Sequence, residues 1–500
     1  MEKSAEEIVR WLAAVGHEGA HLRLDSRTVA RGDIFVAVPG GRVDGRTFIR
    51  VAAARGAAGV IMEASDDPAE RYPVPSLAVE NLARRLGTIA AAYYGDPSEG
   101  MTGIAVTGTN GKTTTTHWIA DLLSKTGTPC AVLGTVGCSL EGRRFEVPAL
   151  TTPDAVSLQG IYADIRAAGA KAFALEASSI GLVQGRMTGS HFETAVFTNL
   201  TRDHLDYHKT MDAYGEAKAM LFGWPGLRKA VINADDPAGA VMAQAARQNG
   251  AAVWATTVEG TVQFEADHVV RALNVRASEA GTAFTIEADG KTADIHMPQV
   301  GRFNVSNLIE AVAVVLARGI ALEALLPLIE NLSSPPGRMQ ILKAEGVPLA
   351  VVDYSHTPDA LEKALLSLRP VAEARSGRLW AVFGCGGDRD AGKRPVMGRV
   401  AQAHADEVIV TSDNPRTEAP EAIIADITAG MSQARTTVDR FEAIREAIAE
   451  ADARDVILIA GKGHEDYQEV NGVKHHFSDA EAVREAFNDR RVRYLCRQED

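Results

Sequence analysis

Long apolar runs are missing from this chain. The best stretch, Leu308 to Ile329, is interrupted by Glu310, Arg318, Glu323 and Pro327, whereas a membrane-spanning helix needs about 20 consecutive apolar residues. The start, Met1-Glu2-Lys3-Ser4-Ala5-Glu6-Glu7, is too acidic for a secretory signal. Cysteine is scarce. The four present, Cys130, Cys138, Cys385 and Cys496, show no metal-ligand spacing, so free thiols in a reducing compartment are expected. Positive charge is in deficit: the formal net charge is −13, which argues against a nucleic-acid surface but leaves room for a local basic loop that holds an anion. Low-complexity segments are absent too. These absences describe a cytoplasmic chain with no membrane insertion and no nucleic-acid partner, and 500 residues imply two to four domains.

What is present centres on Gly103-Ile104-Ala105-Val106-Thr107-Gly108-Thr109-Asn110-Gly111-Lys112-Thr113-Thr114. A short strand-like run breaks at Thr107-Gly108, passes through a glycine-bounded loop and enters a helix, with Trp118, Ile119, Leu122 and Leu123 at helical spacing. This is the grammar of a nucleotide phosphate site: glycines let backbone N–H groups approach phosphate oxygens, and the helix N-terminus adds its dipole. Lys112 is placed to contact the β/γ-phosphates and Thr113 to offer a hydroxyl to Mg²⁺. The loop is shorter than the strict pattern, which requires glycine where this chain has Val106. The alternative is a plain strand-to-helix turn that happens to carry a lysine.

Strands alternating with helices continue on both sides, an α/β pattern with mostly parallel sheets. In the first segment Asp25-Ser26-Arg27 is either a turn or a grip on an anionic ligand. In the middle segment Ala172 to Leu175 runs into Glu176-Ala177-Ser178-Ser179, and Thr194 to Phe197 runs into Thr198 to His208. Ligands collect at the carboxyl ends of such strands, so Lys112, Glu176 and His204 are candidates to converge, the latter two as Mg²⁺ ligands beside a triphosphate. The predicted helix Met211 to Phe222 carries Lys218, which composition alone leaves on the surface. Thr261 to Gln299 reads as a β-insertion or hairpin layer. Asn304 either reads an adenine edge or caps the helix that follows.

After Ser333-Ser334-Pro335-Pro336-Gly337-Arg338, a breaker cluster, four predicted strands open into four polar loops. These are Tyr354 to Pro358, Gly384 to Asp390, Thr411 to Arg416 and Gly461 to Asp466. No Gly-x-Gly-x-x-Gly dinucleotide pattern occurs in them. They mix Arg389 and Arg416 with Asp413 and Glu465, which suits a zwitterion: arginines for carboxylates, acids for an ammonium group. Salt bridges that merely hold the turns are the alternative.

On these residues the chain resembles the Mur ligases of peptidoglycan synthesis over nearly its whole length. Gly108 to Thr114 is similar to that family's ATP loop. Thr151-Thr152-Pro153-Asp154, Asn199 to Asp206, the Lys218 helix, Gly301 to Asn307 and Asp353 to Pro358 match in order. Asp413-Asn414-Pro415-Arg416 is similar to the diaminopimelate motif of one branch, supported by Gly461-Lys462-Gly463-His464-Glu465. Ile180 departs from the pattern, since many members carry His after the Ser-Ser pair.

The resemblance implies a three-domain architecture with a central P-loop-type ATPase domain and a Rossmann-like C-terminal domain. Residues 1–98 would bind the UDP-sugar, 99–335 ATP and 336–500 the amino acid. It implies ATP-dependent addition of meso-2,6-diaminopimelate to the D-Glu γ-carboxylate of UDP-MurNAc-L-Ala-D-Glu through an acyl phosphate, by a monomer, in the bacterial cytoplasm. The roles it implies are these. Lys112, with Gly108 to Thr114, holds ATP phosphates; Asn304, Arg338 and Asp353 contact the adenosine; Thr113, Glu176 and His204 serve Mg²⁺; Lys218 is carbamylated. Ser26, Arg27, Thr151, Thr152, Ser178, Gln184 and Arg186 line the sugar-nucleotide substrate. Arg389, Asp413, Asn414, Pro415, Arg416, Gly461 and Glu465 hold diaminopimelate. The rivals are a folylpolyglutamate-synthetase-like ligase, a lysine-adding Mur ligase, a nucleotide switch or motor ATPase, and a non-catalytic binding module.

Overall fold

The computed structural model describes residues 3–40, 43–64, 71–148, 150–278 and 281–496, with side chains to residue 491. Three sheets follow one another along the chain. The first has four parallel strands in sequence order, Leu22–Arg23, Ile34–Ala37, Gly59–Glu63 and Ser76–Val79. Helices Ala5–Val15 and Leu82–Tyr93 pack together beside it.

The second sheet has eleven strands. Its centre is parallel and runs His268–Ser278, Ala252–Val258, Lys229–Asn233, Thr194–Phe197, Thr102–Thr107, Ala172–Glu176, Cys130–Gly134. The phosphate-loop strand Thr102–Thr107 lies between Thr194–Phe197 and Ala172–Glu176. The loops that begin at Gly108, Ala177 and Thr198 therefore leave the same edge side by side. Helices Lys112–Lys125 and Arg302–Leu316 cover one face of this sheet and Ala155–Ala167 the other, each over its own apolar layer. Such burial on both faces is why the central strands read as near-continuous apolar runs.

The stretch expected as a β-insertion or hairpin layer forms strands His268–Ser278, Gly281–Ala288 and Lys291–Met297, paired antiparallel in succession and continuous with the same sheet. The apolar stretch after Leu308 is two helices, Arg302–Leu316 and Leu322–Ile329, whose apolar side chains enter the core. Among the described residues no helix is long and apolar enough to cross a membrane.

The third sheet has six strands in the order Gln340–Leu342, Leu349–Asp353, Val456–Ala460, Leu379–Phe383, Glu407–Val410, Arg435–Thr436; all pairings but the first are parallel. A hairpin, Tyr467–Val470 with Val473–His476, stands beside it. Cys130, Cys138 and Cys385 are buried free thiols; the Cys496 side chain lies outside the described residues.

Candidate active site

Helix Lys112–Lys125 begins on Gly111 with no side-chain cap. Its first N–H groups thus remain available to an anion. Gly108 (φ 152°) and Gly111 (φ 89°) both lie in the region that favours glycine. A Cβ at Gly108 would run into Thr198 Oγ1, and one at Gly111 into Asn307 Oδ1. The loop is a cradle that side chains would fill. Lys112 folds back over it, its Nζ donating to the carbonyls of Gly108 and Thr109, each at 2.9 Å. Burial lowers the Lys112 pKa, while Glu176 and Asp203 oppose the shift.

Glu176, at the end of the neighbouring strand, is 1% exposed. Its Oε1 accepts from Thr113 Oγ1 at 2.9 Å and from the Thr135 backbone at 2.8 Å, and its Oε2 from Thr135 Oγ1 at 3.1 Å. Thr113 Oγ1 also accepts from Arg338 Nη2 at 3.0 Å. The Arg338 guanidinium lies 4.4 Å from the centre of the Tyr354 ring. Thr113 and Glu176 are two hard oxygen donors side by side at the phosphate loop, which suits Mg²⁺, an ion that retains several waters.

His204 does not join that pair. It takes a left-handed backbone (φ 53°) at the start of the short helix Leu205–His208, and its Nε2 lies 3.5 Å from Asp203 Oδ2. Among the described residues no three His, Cys, Asp or Glu side chains converge as a metal-holding group. His204 lines the same cleft beside Tyr214, with ring centres 6.1 Å apart.

Lys218 is 1% exposed rather than on the surface. Its ammonium sits 4.2 Å from the centre of the Tyr214 ring. Burial holds its pKa well below the usual value, and repulsion from Lys112 adds to this. Composition hid this lysine because a lone lysine on a helix is ordinarily at the surface; packing of helix Met211–Ala219 against helix Ser179–Val183 buries it.

The cleft these residues share measures about 790 Å³ and runs from Lys218 to helix Arg302–Leu316 and across to Tyr354, Ser355 and His356 of the third sheet. Asn304 is 3% exposed and stands in the first turn of its helix, with Nδ2 donating back to Val300 O at 2.8 Å. Gly301 is the N-cap, so capping is not Asn304's job. Asp353 accepts from the backbones of Met339 (2.7 Å) and Ser355 (3.0 Å), which ties the interdomain linker to the cleft wall.

Thr151, Thr152, Ser178, Gln184 and Arg186 form one connected set behind Glu176. Thr152 Oγ1 donates to Glu176 O at 2.7 Å, Arg186 Nη1 to Thr152 O at 2.9 Å, and Arg186 Nη2 to Gln184 Oε1 at 2.7 Å. Thr151 Oγ1 is 3.1 Å from Thr135 Oγ1, and Ser178 caps helix Ser179–Val183. Ile180 is half-buried on that helix. Its neighbour Ser179 pairs instead with the buried His208, Nε2 to Oγ 2.9 Å. Ser26 and Arg27 stand apart in a short turn, where Arg27 pairs with Asp25 at 2.7 Å. Among the described residues no hydrogen bond joins them to that set.

The four loops of the third sheet divide between the nucleotide cleft and a second cluster, and the two groups touch where the His464 ring stands 5.3 Å from the Tyr354 ring and Lys393 Nζ donates to His356 O at 2.7 Å. Tyr354 to His356 opens into the nucleotide cleft, because its strand lies next to the linker-side strand Gln340–Leu342. The other three are joined to one another by hydrogen bonds. Asn414 Nδ2 donates to Glu465 Oε2 at 2.7 Å, Gly387 N to Asn414 O at 2.9 Å, and Arg416 Nη1 to Gly387 O at 2.7 Å. Asp413 is nearly buried beside Gly461, whose φ is 118°. Pro415 is buried between Asn414 and Arg416, while Arg389 is exposed.

Two buried cations in this cluster are not among the expected site residues, although Lys462 lies inside the Gly461–Glu465 motif. Lys462 Nζ bonds Asn414 Oδ1 (3.0 Å) and Glu465 Oε2 (3.1 Å). Arg440 pairs with Asp479, both side chains 0% exposed, and also donates to Ser412 O at 3.3 Å and Ala460 O at 2.9 Å. These carbonyls precede the Asp413 and Gly461 loops.

Residues 20–94 match the Mur ligase family, catalytic domain; 106–315 match the Mur ligase middle domain; 337–463 match the Mur ligase, glutamate ligase domain. The chain belongs to the Mur ligase family. This Mur ligase is 48% identical over 493 residues, 97% of each chain, to the UDP-N-acetylmuramoyl-L-alanyl-D-glutamate–2,6-diaminopimelate ligase of Janthinobacterium sp. (strain Marseille). It is 47% identical to the protein of the same name from Pseudomonas aeruginosa, over 93% of this chain and 94% of that one. A solved structure of a ligase of that name superposes with a TM-score of 0.66 at 41% identity, covering 94% and 95% of the two chains. MurF from Thermotoga maritima in complex with ADP shares the fold, with a TM-score of 0.67 at 21% identity and 94% and 98% coverage. The three-domain Mur ligase architecture expected from the motifs is therefore the architecture of this chain.

Proposed function

We propose that this Mur ligase joins meso-2,6-diaminopimelate to the D-Glu γ-carboxylate of UDP-MurNAc-L-Ala-D-Glu at the expense of ATP, in peptidoglycan precursor synthesis in the bacterial cytoplasm. The observation that carries this reading is the cluster of Asn414, Arg416 and Glu465, an acid-and-arginine site built from two loops, on a chain closely similar to ligases named for that amino acid. In this reading residues 1–98, 99–335 and 336–500 are the sugar-nucleotide, ATP and amino-acid domains.

A carboxylate is a poor electrophile. Its oxygen attacks the γ-phosphorus of ATP, ADP leaves, and the acyl phosphate that results accepts the amine of diaminopimelate; phosphate departs and an amide forms. The free N–H groups at the start of helix Lys112–Lys125 and the Lys112 ammonium hold the phosphates in line. Mg²⁺ bound at Thr113 and Glu176, with His204 facing the same cleft, would neutralise charge on the phosphate oxygens. Asn304, Arg338 and Asp353 line the adenosine side. Lys218, whose pKa burial lowers, can in its neutral form add to CO₂ and lose a proton to become a carbamate. That places an anion opposite Lys112 where a buried ammonium is unfavourable.

Thr151, Thr152, Ser178, Gln184 and Arg186 present the sugar-nucleotide peptide to this centre, and Ser26 and Arg27 take its distal end. Arg389, Asp413, Asn414, Pro415, Arg416, Gly461 and Glu465 receive diaminopimelate. Lysine lacks the distal carboxylate and would forgo the charge-assisted pair with Arg416, a difference of roughly 1–3 kcal/mol.

Phosphate release from ATP with UDP-MurNAc-L-Ala-D-Glu tests the reading, comparing meso-diaminopimelate, L-lysine and no amino acid. Release only with diaminopimelate is expected. Release with lysine alone would keep the ligase and overturn the specificity. Release without the sugar nucleotide would return the protein to the ATPase class.

A further inference from the structure

Lys462 is 0% exposed, a long amine side chain taken out of water. Gly461 (φ 118°) and Gly463 (φ 55°) flank it, so the chain reverses tightly enough to fold the lysine inward. Its Nζ reaches the Asn414 carbonyl oxygen at 3.0 Å and Glu465 Oε2 at 3.1 Å, with the Tyr467 ring centre at 5.4 Å.

Each partner is constrained further. Asn414 Oδ1 also accepts from Glu469 N at 2.9 Å, and Asn414 Nδ2 donates to Glu465 Oε2 at 2.7 Å. Both groups that face Oδ1 are donors only, which fixes the orientation of the amide. Glu465 Oε2 is saturated by Lys462 and Asn414, whereas its Oε1 has no hydrogen bond among the described residues. Lys462 is the group in this cluster that touches both Asn414, on one loop, and Glu465, on the other.

We propose that Lys462 is a positioning residue for the amino-acid site: it pins the Asp413–Arg416 loop to the Gly461–Glu465 loop and presents one oxygen of Glu465 to the ammonium of the incoming amino acid. The inference rests on the reading of that cluster as the diaminopimelate site. A burial role alone would be filled by an apolar side chain. A positioning role needs a donor at this point, one that reaches both Asn414 Oδ1 and Glu465 Oε2 and so holds the carboxylate in one orientation.

Steady-state kinetics of Lys462→Met and Lys462→Gln test this. The Met variant should raise KM for diaminopimelate by about tenfold or more, the scale of one lost charge-assisted hydrogen bond, while KM for ATP and for the sugar nucleotide stay within about twofold. The Gln variant keeps a donor toward Asn414 without the charge; it should fall between wild type and Met, and it carries the test if Met does not fold. In a double-mutant cycle, Lys462→Met added to Asn414→Ala should cost less than the sum of the two, because Lys462 acts through Asn414. An unchanged KM for diaminopimelate in both variants, equal increases in all three KM values, or strict additivity would overturn the proposal. Arg416→Ala, run in parallel, separates the two failures. If that variant loses diaminopimelate kinetics and the Lys462 variants do not, only the positioning role falls. If Arg416→Ala also leaves them unchanged, the assignment of the site falls with it.

Discussion

Arg416 adopts a left-handed backbone (φ 52°), and its guanidinium rests on Gly387 O at 2.7 Å and 3.4 Å from Glu469 Oε2. An incoming carboxylate would meet an arginine already aimed and held by partners weaker than a bidentate acid. Arg416→Ala should therefore lower kcat/KM for diaminopimelate by roughly 10–100-fold and leave KM for ATP within about twofold; unchanged kinetics in a phosphate-release assay would sink the assignment. Glu310 makes a second residue-level prediction. It is 0% exposed between helices Arg302–Leu316 and Lys112–Lys125, with hydroxyls of Ser306 (3.1 Å) and Thr115 (3.3 Å) on its two oxygens. Burial pushes its carboxyl up to about 8 from an ordinary value of 4.5. Between those two pH values the folded chain keeps a proton that the unfolded chain has released, so stability falls as pH rises, by ~1.4 kcal/mol per pH unit at most. Glu310→Gln should flatten that slope in urea denaturation at about pH 5 and about pH 8, gaining on wild type at the higher pH; parallel losses in both proteins would refute it.

At the scale of elements, the strand ends that carry the amino-acid loops depend on a helix far along the chain. Arg440 opens helix Arg440–Glu450, and Asp479 opens the C-terminal helix Asp479–Cys496; their buried pair at 2.7 Å fastens the carbonyls of Ser412 and Ala460. Removing one partner leaves the other buried and uncompensated. Arg440→Met should cost about 3–5 kcal/mol in denaturant unfolding, and Arg440→Met with Asp479→Leu should recover much of that. A double variant no better than the single one would mean that the hydrogen bonds to the carbonyls matter more than the charge pair. The phosphate loop depends on its neighbours in the same way: Thr198 and Asn307 stand where Cβ atoms at Gly108 and Gly111 would go. The loop after strand Thr194–Phe197 and the helix Arg302–Leu316 thus shape the anion cradle together with the phosphate loop itself.

Across the whole molecule, the domain of the third sheet meets that of the second through a few polar contacts and through Val300 and Phe303, which pack against the third domain's apolar core. Asn110 Nδ2 donates to Asp359 Oδ2 at 3.2 Å, Arg338 reaches Thr113 at 3.0 Å, and a Cβ on Gly301 would press against Ser367. A seam of this kind is a place for domain motion. The proposed reaction needs an amine held on the third sheet to reach an acyl phosphate held on the second, so closure is expected to be part of the cycle. Small-angle scattering should show a smaller radius of gyration when ATP and UDP-MurNAc-L-Ala-D-Glu are added together than for the ligand-free chain. Asp359→Ala should blunt the change. Identical curves with and without ligands would count against closure.

Much of this protein can be read locally. The phosphate loop, the strand-to-loop order of the middle segment and the capped helix after Thr357 depend on backbone preferences and hydrogen bonds within a few residues, so the amino-acid order alone determines them. Tertiary structure decided the rest. It buried Lys218 against Tyr214, paired Thr113 with Glu176 while leaving His204 to one side, and opened the Tyr354 loop into the nucleotide cleft. It also placed Lys462 between Asn414 and Glu465, and Asp479 on Arg440, 39 positions away. The physical reason is that desolvation and electrostatic attraction depend on distance through space, and no local pattern records which distant segment will exclude water from a given side chain.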